Sequence, residues 1–482
     1  MSRTASIAKN TLVQVVGRAI GTVLGLVTLG VMTRYLGTSG YGAFTTATSF
    51  LQIFGILVDF GLSLTTVAMV SEHSHDRDRI ASNIFTLRIL SAAVFFLLAP
   101  AVVLLFPYGP EIKSGVGIAA ASFFMIAVNQ VLTSLLQTQM RMSRAAAAEV
   151  LGRSGLLLGA LATAHWNLGL GWMLGALVFG NALTAFWNWL LVRKLVQLRW
   201  RIERIVWKEI FNRSWPIAVS ISFNLVYLMG GVIALSLFRS QDEVGIYGAA
   251  RKLLDVLTVI PIMFMGLVLP LLVKARSEGS SADWNRILQK AFDFMAVLAL
   301  PLVAGTVVVG HDLMIFLAGE EFAGAGPLLL ILILACASVF FGSLFGHAVI
   351  AVKKQRAMIW GYAADAALAV ALNLALVPRY GATAAAWITF ATEAFIACAT
   401  YYMIRRVTGF APRFGTVLRA GVAACGMALF VFALPDMHVL LKTVLGAGAY
   451  AVLALAFRAV DPQMVRELLS RNKGAGTLPT QA

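Results

Sequence analysis

Arg34-Tyr35-Leu36-Gly37-Thr38-Ser39-Gly40-Tyr41-Gly42-Ala43 closes one long apolar run and opens the next, and its outline returns as Phe238-Arg239-Ser240-Gln241-Asp242-Glu243-Val244-Gly245-Ile246-Tyr247-Gly248-Ala249. The two Tyr-Gly-Ala triplets lie 206 residues apart. A second set of matches, Arg144 with Arg356, Gly169 with Gly381 and Arg193-Lys194 with Arg405-Arg406, repeats at an offset of 212. Self-similarity at a fixed offset marks an internal duplication. Each half carries about six apolar runs, an even number, so the halves enter a membrane in the same orientation and relate by an axis along its normal, enclosing a central cavity.

The flanking sequence sets the solvent. Of the 482 residues, 60% are hydrophobic and 12% charged, more apolar surface than a water-soluble domain can bury. The apolar runs are continuous and about 20 residues long, enough to cross a hydrocarbon core about 30 Å thick at about 1.5 Å per residue. They do not alternate as barrel strands do. The fold expected is an all-α integral membrane protein of about 14 transmembrane helices, with two pseudo-symmetric six-helix lobes around a central cavity and two extra C-terminal helices. Spans are expected to begin near Thr11, Gly42, Asn83, Val116, Ala145, Leu170, Trp215, Ile246, Ile287, Pro327, Ala357, Ala382, Thr416 and Val439. The first run carries only Arg3 and Lys9 before it and no cleavage pattern, so it reads as a retained span.

Charge supplies orientation. The formal charge of +16 does not point to nucleic acid, because the basic residues sit in short loops where they act as topology signals. Arg77/Arg79, Arg141/Arg144, Arg193 to Arg213, Lys274/Arg276, Lys353/Lys354/Arg356 and Arg405/Arg406/Arg413 mark one side as cytoplasmic, with both termini. The domain plan is then an N-terminal lobe over 1–192, a linker over 193–213, a C-terminal lobe over 214–406, two further spans over 407–460 and a tail over 461–482. In the linker Leu198, Ile202, Ile205 and Ile210 recur at helical spacing beside Trp200 and Trp207, which predicts an interfacial amphipathic helix. A short tail helix is expected from Asp461-Pro462.

Arg34-Tyr35-Leu36-Gly37, then Tyr41-Gly42, then Asp59-Phe60-Gly61-Leu62 resemble the polysaccharide-synthesis (O-antigen flippase-like) family of bacterial membrane transporters over most of the chain. That superfamily also holds multidrug extruders and the lipid II flippase. The resemblance implies movement of an undecaprenyl-diphosphate-linked glycan from the cytoplasmic to the outer leaflet of the inner membrane. Its implied partners are the lipid-linked substrate, membrane lipids, and the glycan polymerase and glycosyltransferases of the pathway. Many O-antigen flippases stop at twelve helices, and the extra pair here is similar to the lipid II flippase, which leaves the substrate class open.

Ionisable groups within spans are expensive and mark candidate transport residues. Arg18, Arg153, Lys252 and Arg88 are the candidate cationic contacts for a diphosphate; Asp59, Asp365 and Asp293 are candidates for counter-charge or a protonation switch. The same residues could equally be internal ion pairs: Arg88 and Asp59 lie in neighbouring spans, and Arg251 and Asp255 are four apart. Asp365 is the repeat counterpart of Arg153. Gln14/Arg18/Thr22 and Asn129/Thr133/Gln137, each spaced by four, read either as walls of a wet groove or as interhelical hydrogen bonds. Gly17, Gly21 and Gly25 read as close helix packing, and Pro261 and Pro301 interrupt the eighth and ninth spans where a bend is allowed, as static kinks or as hinges for alternating access.

Other chemistries find little support. Cys336, Cys398 and Cys425 lie in apolar runs without metal spacing. His73, His75, Asp76 and Asp78 read as a solvated loop, and His347 as a hydrogen-bonded core residue. There is no phosphate-binding loop, nucleophile elbow or His-Glu-x-x-His helix, so no catalytic residue, metal or cofactor is expected. A multidrug extruder would favour acidic residues in its cavity. A glycosyltransferase or polymerase should carry a catalytic carboxylate in a large outer loop, whereas the longest here, Gly310 to Gly326, offers Asp312, Glu320 and Glu321 in no motif.

Overall fold

The computed structural model describes residues 3–72, 76–139 and 141–460. Among them the chain is helical: α1 (Arg3–Asp59), α2 (Leu62–Glu72), α3 (Arg77–Val102), α4 (Pro110–Thr138), α5 (Met142–His165), α6 (Leu170–Val192), α7 (Arg204–Phe238), α8 (Gln241–Leu257), α9 (Val259–Ser277), α10 (Ser281–Ala318), α11 (Ala325–Ala351), α12 (Gln355–Thr408), α13 (Gly415–Phe432) and α14 (Val439–Ala456). Among the described residues eleven stretches are long and apolar enough to cross a membrane. Two of them, Val16–Glu72 and Gln355–Thr408, each carry two of the expected spans, and α7 ends in the shorter apolar stretch Met229–Phe238. The protein is a multi-pass, all-α membrane protein. Large apolar side chains such as Leu97, Leu158 and Trp172 face outward, as a lipid solvent allows.

Packing divides the chain into two compact units, Met1–Ala249 with Leu317–Phe322 and Tyr362–Ile388, and Ala250–Phe316 with Ala323–Gly361 and Thr389–Ala482. This grouping cuts across the sequence repeat. In the second unit α13 and α14 pack together through Ala420, Ala423 and Ala454, and the Tyr450 hydroxyl donates to the Val297 carbonyl of α10 at 2.7 Å. α12 stops at Gly409 (φ 71), whose N–H donates to the Arg405 carbonyl at 2.8 Å, with Arg405 and Arg406 beside the negative helix end.

The duplicated motif organises the first unit. Gly37 (φ 65) breaks the run of α1 between its two spans, and Gly381 (φ 57) does the same in α12. Gly169 (φ 85), the repeat counterpart of Gly381, begins α6. Each copy of the motif holds the glycine of its own half: the Gly169 N–H donates to the Tyr35 hydroxyl at 2.7 Å, and the Ala382 N–H to the Glu243 carboxylate at 3.1 Å. The two copies also meet each other. A Cβ on Gly42 would lie 1.8 Å from the Gln241 carbonyl oxygen, and one on Gly245 2.0 Å from that of Thr38. Thr38 donates to Asp242 at 2.5 Å and Thr46 to Gln241 at 2.8 Å across the same contact. The small-residue pairing is what brings the two helix backbones together.

Three local features bear on the expectations. Residues 193–203 are not helical; helix begins at Arg204 and runs into α7. After a turn over 193–196, residues 197–203 form a strap on α3, in which the alternate backbone N–H groups of Arg199, Arg201 and Glu203 donate to Ser82 Oγ (3.1 Å), Thr86 Oγ1 (3.0 Å) and Asn83 Oδ1 (2.9 Å). Trp200 and Ile202 are exposed on this strap, and the helical part of the expected stripe begins only with Ile205. Second, the two prolines differ in setting: Pro301 lies inside the continuous α10, whereas α8 and α9 part at Thr258, just before Pro261. Third, the second span is interrupted after Asp59, as described below. The expected tail helix and His73 and His75 lie outside the described residues.

The strap carries its own pH dependence. The hydrogen bond from Arg79, then those from Asn83 and Arg201's charge, hold the Glu203 carboxyl below its ordinary value. A carboxylate whose folded pKa is depressed stabilises the fold above its unfolded value of about 4.3, and that contribution disappears as pH falls through the folded value. Amide hydrogen exchange at Arg199, Arg201 and Glu203, corrected for intrinsic rates, is expected to lose protection below about pH 4. Protection unchanged down to about pH 2 would show that the strap is held without Glu203.

Candidate functional site: a polar cavity beside a broken helix

The second span does not cross as one helix. α1 ends at Asp59, Phe60 (φ 41) and Gly61 (φ 74) turn left-handed, and α2 starts at Leu62. Gly61 takes that conformation without steric cost; Phe60 does not, so surrounding contacts must hold it. A helix end within a membrane leaves carbonyls that need donors. Arg88 of α3 supplies them. Its Nη1 donates to the Val58 carbonyl at 2.8 Å, and its Nη2 to Asp59 Oδ1 at 2.5 Å, to Gln130 Oε1 at 3.0 Å and to Ser63 Oγ at 3.1 Å. Ser63 in turn donates to Asp59 at 2.6 Å. Arg88 is 0% exposed, so it is an internal tie and not an open cationic surface. The expected pairing of Arg88 with Asp59 is what the structure contains.

Ser63 and Gln130 of that network also face a cavity of about 360 Å³. α1 contributes Gln14 and Arg18; α4 contributes Asn129, Gln130, Thr133 and Ser134. α5 adds Glu149, and α6 adds Thr184 and Asn188. The two polar stripes seen in the sequence thus line one cavity, except for Thr22 and Gln137.

Parallel packing of α4 on α6 sets its floor. Asn181 donates to Ser122 and Asn188 to Asn129, both at 2.7 Å and both at a sequence offset of 59. Two pairs seven residues apart, in the same register, put the amides on one face two turns apart. α5 closes on α6 where Gly152 meets Gly180: a Cβ on Gly152 would come within 2.6 Å of the Gly180 carbonyl. On the other side, Gly17 faces Ala146 and Gly21 faces the Arg153 stem, so the small-residue stripe of α1 is close packing.

The remaining candidates are distributed. Arg153 donates to the Gly21 carbonyl at 2.9 Å and to Glu149 at 2.7 Å, tying α5 to α1. Arg18 is exposed, with no ion pair among the described residues. Asp365 is fully buried in α12, and neither carboxylate oxygen has a hydrogen-bond partner among the described residues. In the second unit Lys252 is exposed, Arg251 lies 4.0 Å from Asp255, and Asp293 accepts from Gln289 at 2.9 Å. His347 Nδ1 is 2.7 Å from the Ser343 carbonyl, the core role expected of it. Asn181, Asn188 and Glu149 were not singled out in the sequence. The signal available was two asparagines seven apart in the otherwise apolar run of α6.

A family model described as polysaccharide biosynthesis protein matches residues 7–276, more than half of the chain and all of the cavity. The chain belongs to the polysaccharide biosynthesis protein family. Relatives with curated names include two from Haloferax volcanii. The probable flippase AglR is 23% identical over 252 residues, covering 50% of this chain and 53% of that protein. The probable low-salt glycan biosynthesis flippase Agl15 is 22% identical over 318 residues, covering 64% and 65%. The chain thus matches between half and two-thirds of the length of these relatives. Among solved structures, the lipid II flippase MurJ in an inward closed conformation superposes with a TM-score of 0.76 at 13% identity, over 93% of this chain and 99% of that one. An inward-facing multidrug resistance transporter of the MATE family gives 0.65 at 14% identity, over 83% and 98%. At such identities the likeness is one of fold, and this polysaccharide biosynthesis family member shares its architecture with both.

Proposed function

We propose that the protein is a flippase that carries a polyprenyl-diphosphate-linked oligosaccharide from the cytoplasmic to the outer leaflet of the plasma membrane, for cell-surface polysaccharide synthesis, with both termini in the cytoplasm. The observation that carries this reading is an exposed arginine, Arg18, on the wall of a cavity whose other polar lining is amides, hydroxyls and the Glu149 carboxylate, beside Met142, Ala145 and Ala146, inside a membrane-spanning bundle. A guanidinium kept free of counter-ions suits a diphosphate, and amides suit sugar hydroxyls. Family membership and the names of the relatives support it. A multidrug extruder would need free carboxylate in the cavity, and its one acidic lining residue, Glu149, is engaged by Arg153.

In this reading Arg18 and Lys252 contact substrate, Arg153 and the Arg88–Asp59 pair hold the bundle, and Asp365 and Asp293 serve coupling. Asp365 is the stronger of the two because neither of its oxygens has a partner among the described residues. Pathway polymerases and glycosyltransferases are the expected partners.

Native mass spectrometry with a polyprenyl-diphosphate glycan tests the site. Loss of a charge-assisted contact worth about 1.5–3 kcal/mol should weaken binding by Arg18→Ala about 10- to 100-fold. In proteoliposomes Asp365→Asn should bind normally but lose the response of transport to a proton gradient. Equal binding by wild type and Arg18→Ala would remove Arg18 from the site, and absence of binding by wild type would remove the flippase reading.

A further inference from the structure

The cavity is small. About 360 Å³ lies near the lower end of ligand sites, which run from about 300 to 1,000 Å³, and has room for a sugar ring. Its lining is also selective. Thr184 and Ser134 already donate to the Gly180 and Gln130 carbonyls, so their hydroxyls can only accept from a ligand. The amides of Asn129 and Asn188 are tied to each other by one hydrogen bond. Asn188 is 1% exposed and its Oδ1 has no partner among the described residues. Whichever way the two amides exchange their hydrogen bond, one polar end of Asn188 stays unsatisfied, and a buried polar group left so costs about 1–3 kcal/mol.

We propose that this cavity is a single-sugar subsite, in which Asn129 and Asn188 determine specificity for the sugar attached directly to the diphosphate, while Arg18 takes the phosphate. The proposal rests on the flippase reading and adds to it which part of the substrate enters the first unit. A sugar hydroxyl both donates and accepts, so it satisfies the free oxygen of one amide and the free N–H of its neighbour together; a phosphate, with acceptors only, satisfies half of that pair. Rotation about the broad terminal torsion of asparagine turns Asn188 toward an incoming ring. The arrangement is held from behind: the Asn181–Ser122 bond fixes the register of α6 on α4, and the Gly152–Gly180 approach fixes α5 on α6. Sites built to hydrogen-bond a hydroxyl reject ligands lacking it far better than apolar pockets do, because the buried polar groups are otherwise left without partners.

The test compares dissociation constants, by native mass spectrometry of the full chain, for undecaprenyl diphosphate and for its derivatives carrying one glucose, one galactose or one N-acetylglucosamine. Wild type is expected to prefer at least one single-sugar lipid over the bare lipid by about tenfold, the worth of two net hydrogen bonds. The Asn129→Leu/Asn188→Leu variant should bind bare lipid as wild type does and lose the preference. Thr133→Val, which keeps the side-chain shape on the same wall, should reduce the preference without altering bare-lipid binding, and it serves alone if the double variant does not fold. Equal binding of all four lipids by wild type, or a preference that survives in both variants, overturns the subsite and leaves the flippase reading standing. Binding of none of the four by wild type overturns the flippase reading itself.

Discussion

Replacing Arg88 by alanine is expected to destabilise the protein by about 3–5 kcal/mol, the cost of leaving one partner of a buried ion pair uncompensated. Four groups lose the bond from Arg88 together: the Val58 carbonyl at the end of α1, Ser63, Gln130 and Asp59, which keeps only its bond from Ser63. With Arg88 fully buried, water cannot replace it without opening α3 from α4. The Asp59→Asn variant should cost less, because an amide still accepts a hydrogen bond, and Arg88→Met combined with Asp59→Leu should recover much of the loss by removing both charges. Thermal unfolding in detergent measures all three, and the double variant gives the coupling between the two residues. A further consequence separates this tie from a passive one. Ser63 and Gln130 line the cavity, so Arg88→Ala should also weaken glycan-lipid binding at temperatures where the protein is still folded. Unchanged stability in Arg88→Ala would show that the break at Phe60-Gly61 is held by other contacts.

What could be read from the sequence follows from how physical signals are carried. Span number and position were legible because hydrocarbon thickness imposes a length that the apolar runs repeat, and the starts expected near Leu170 and Val439 coincide with α6 and α14. Gly169 and Gly381 were legible as repeat partners, and both prove left-handed, since only glycine takes that conformation freely. The strap over 197–203 was misread because Leu198 and Ile202, four apart, match helical spacing although helix begins only at Arg204. What settles the matter is the set of side-chain acceptors on α3, which no local pattern contains. Arg88 and Asp59 could be paired from sequence by position, whereas Arg153 looked equally free and is engaged with Glu149 and the Gly21 carbonyl. Asn188 escaped notice because its significance lies in an absent partner, and absence of a partner is a property of packing alone.

The contact between the two motif copies gives the second large expectation. Gly42→Val places a Cβ where the Gln241 carbonyl oxygen is 1.8 Å away, a separation no side chain can occupy, and backbone, not a flexible side chain, is what would have to move. Overpacking of this kind costs at least about 1–3 kcal/mol, and here it must push the start of α8 from α1. Gly245→Val meets the Thr38 carbonyl at 2.0 Å in the same way from the other helix. Since both act on one contact, the double variant should cost less than the sum of the singles. The readout is a cysteine pair at Thr38 and Asp242, whose side chains are hydrogen-bonded at 2.5 Å, in a background with Cys336, Cys398 and Cys425 replaced. Oxidation should cross-link it with Gly42 and Gly245 intact, because the two side chains already meet across the contact. With Gly42→Val the yield should fall sharply, and the loss of the Thr38–Asp242 and Thr46–Gln241 hydrogen bonds should leave the chain in whatever arrangement separates the two copies. Cross-linking at the wild-type level in Gly42→Val would mean that α1 and α8 accommodate a side chain there, and the duplicated Tyr-Gly motif would then need another explanation than the close approach of its two copies.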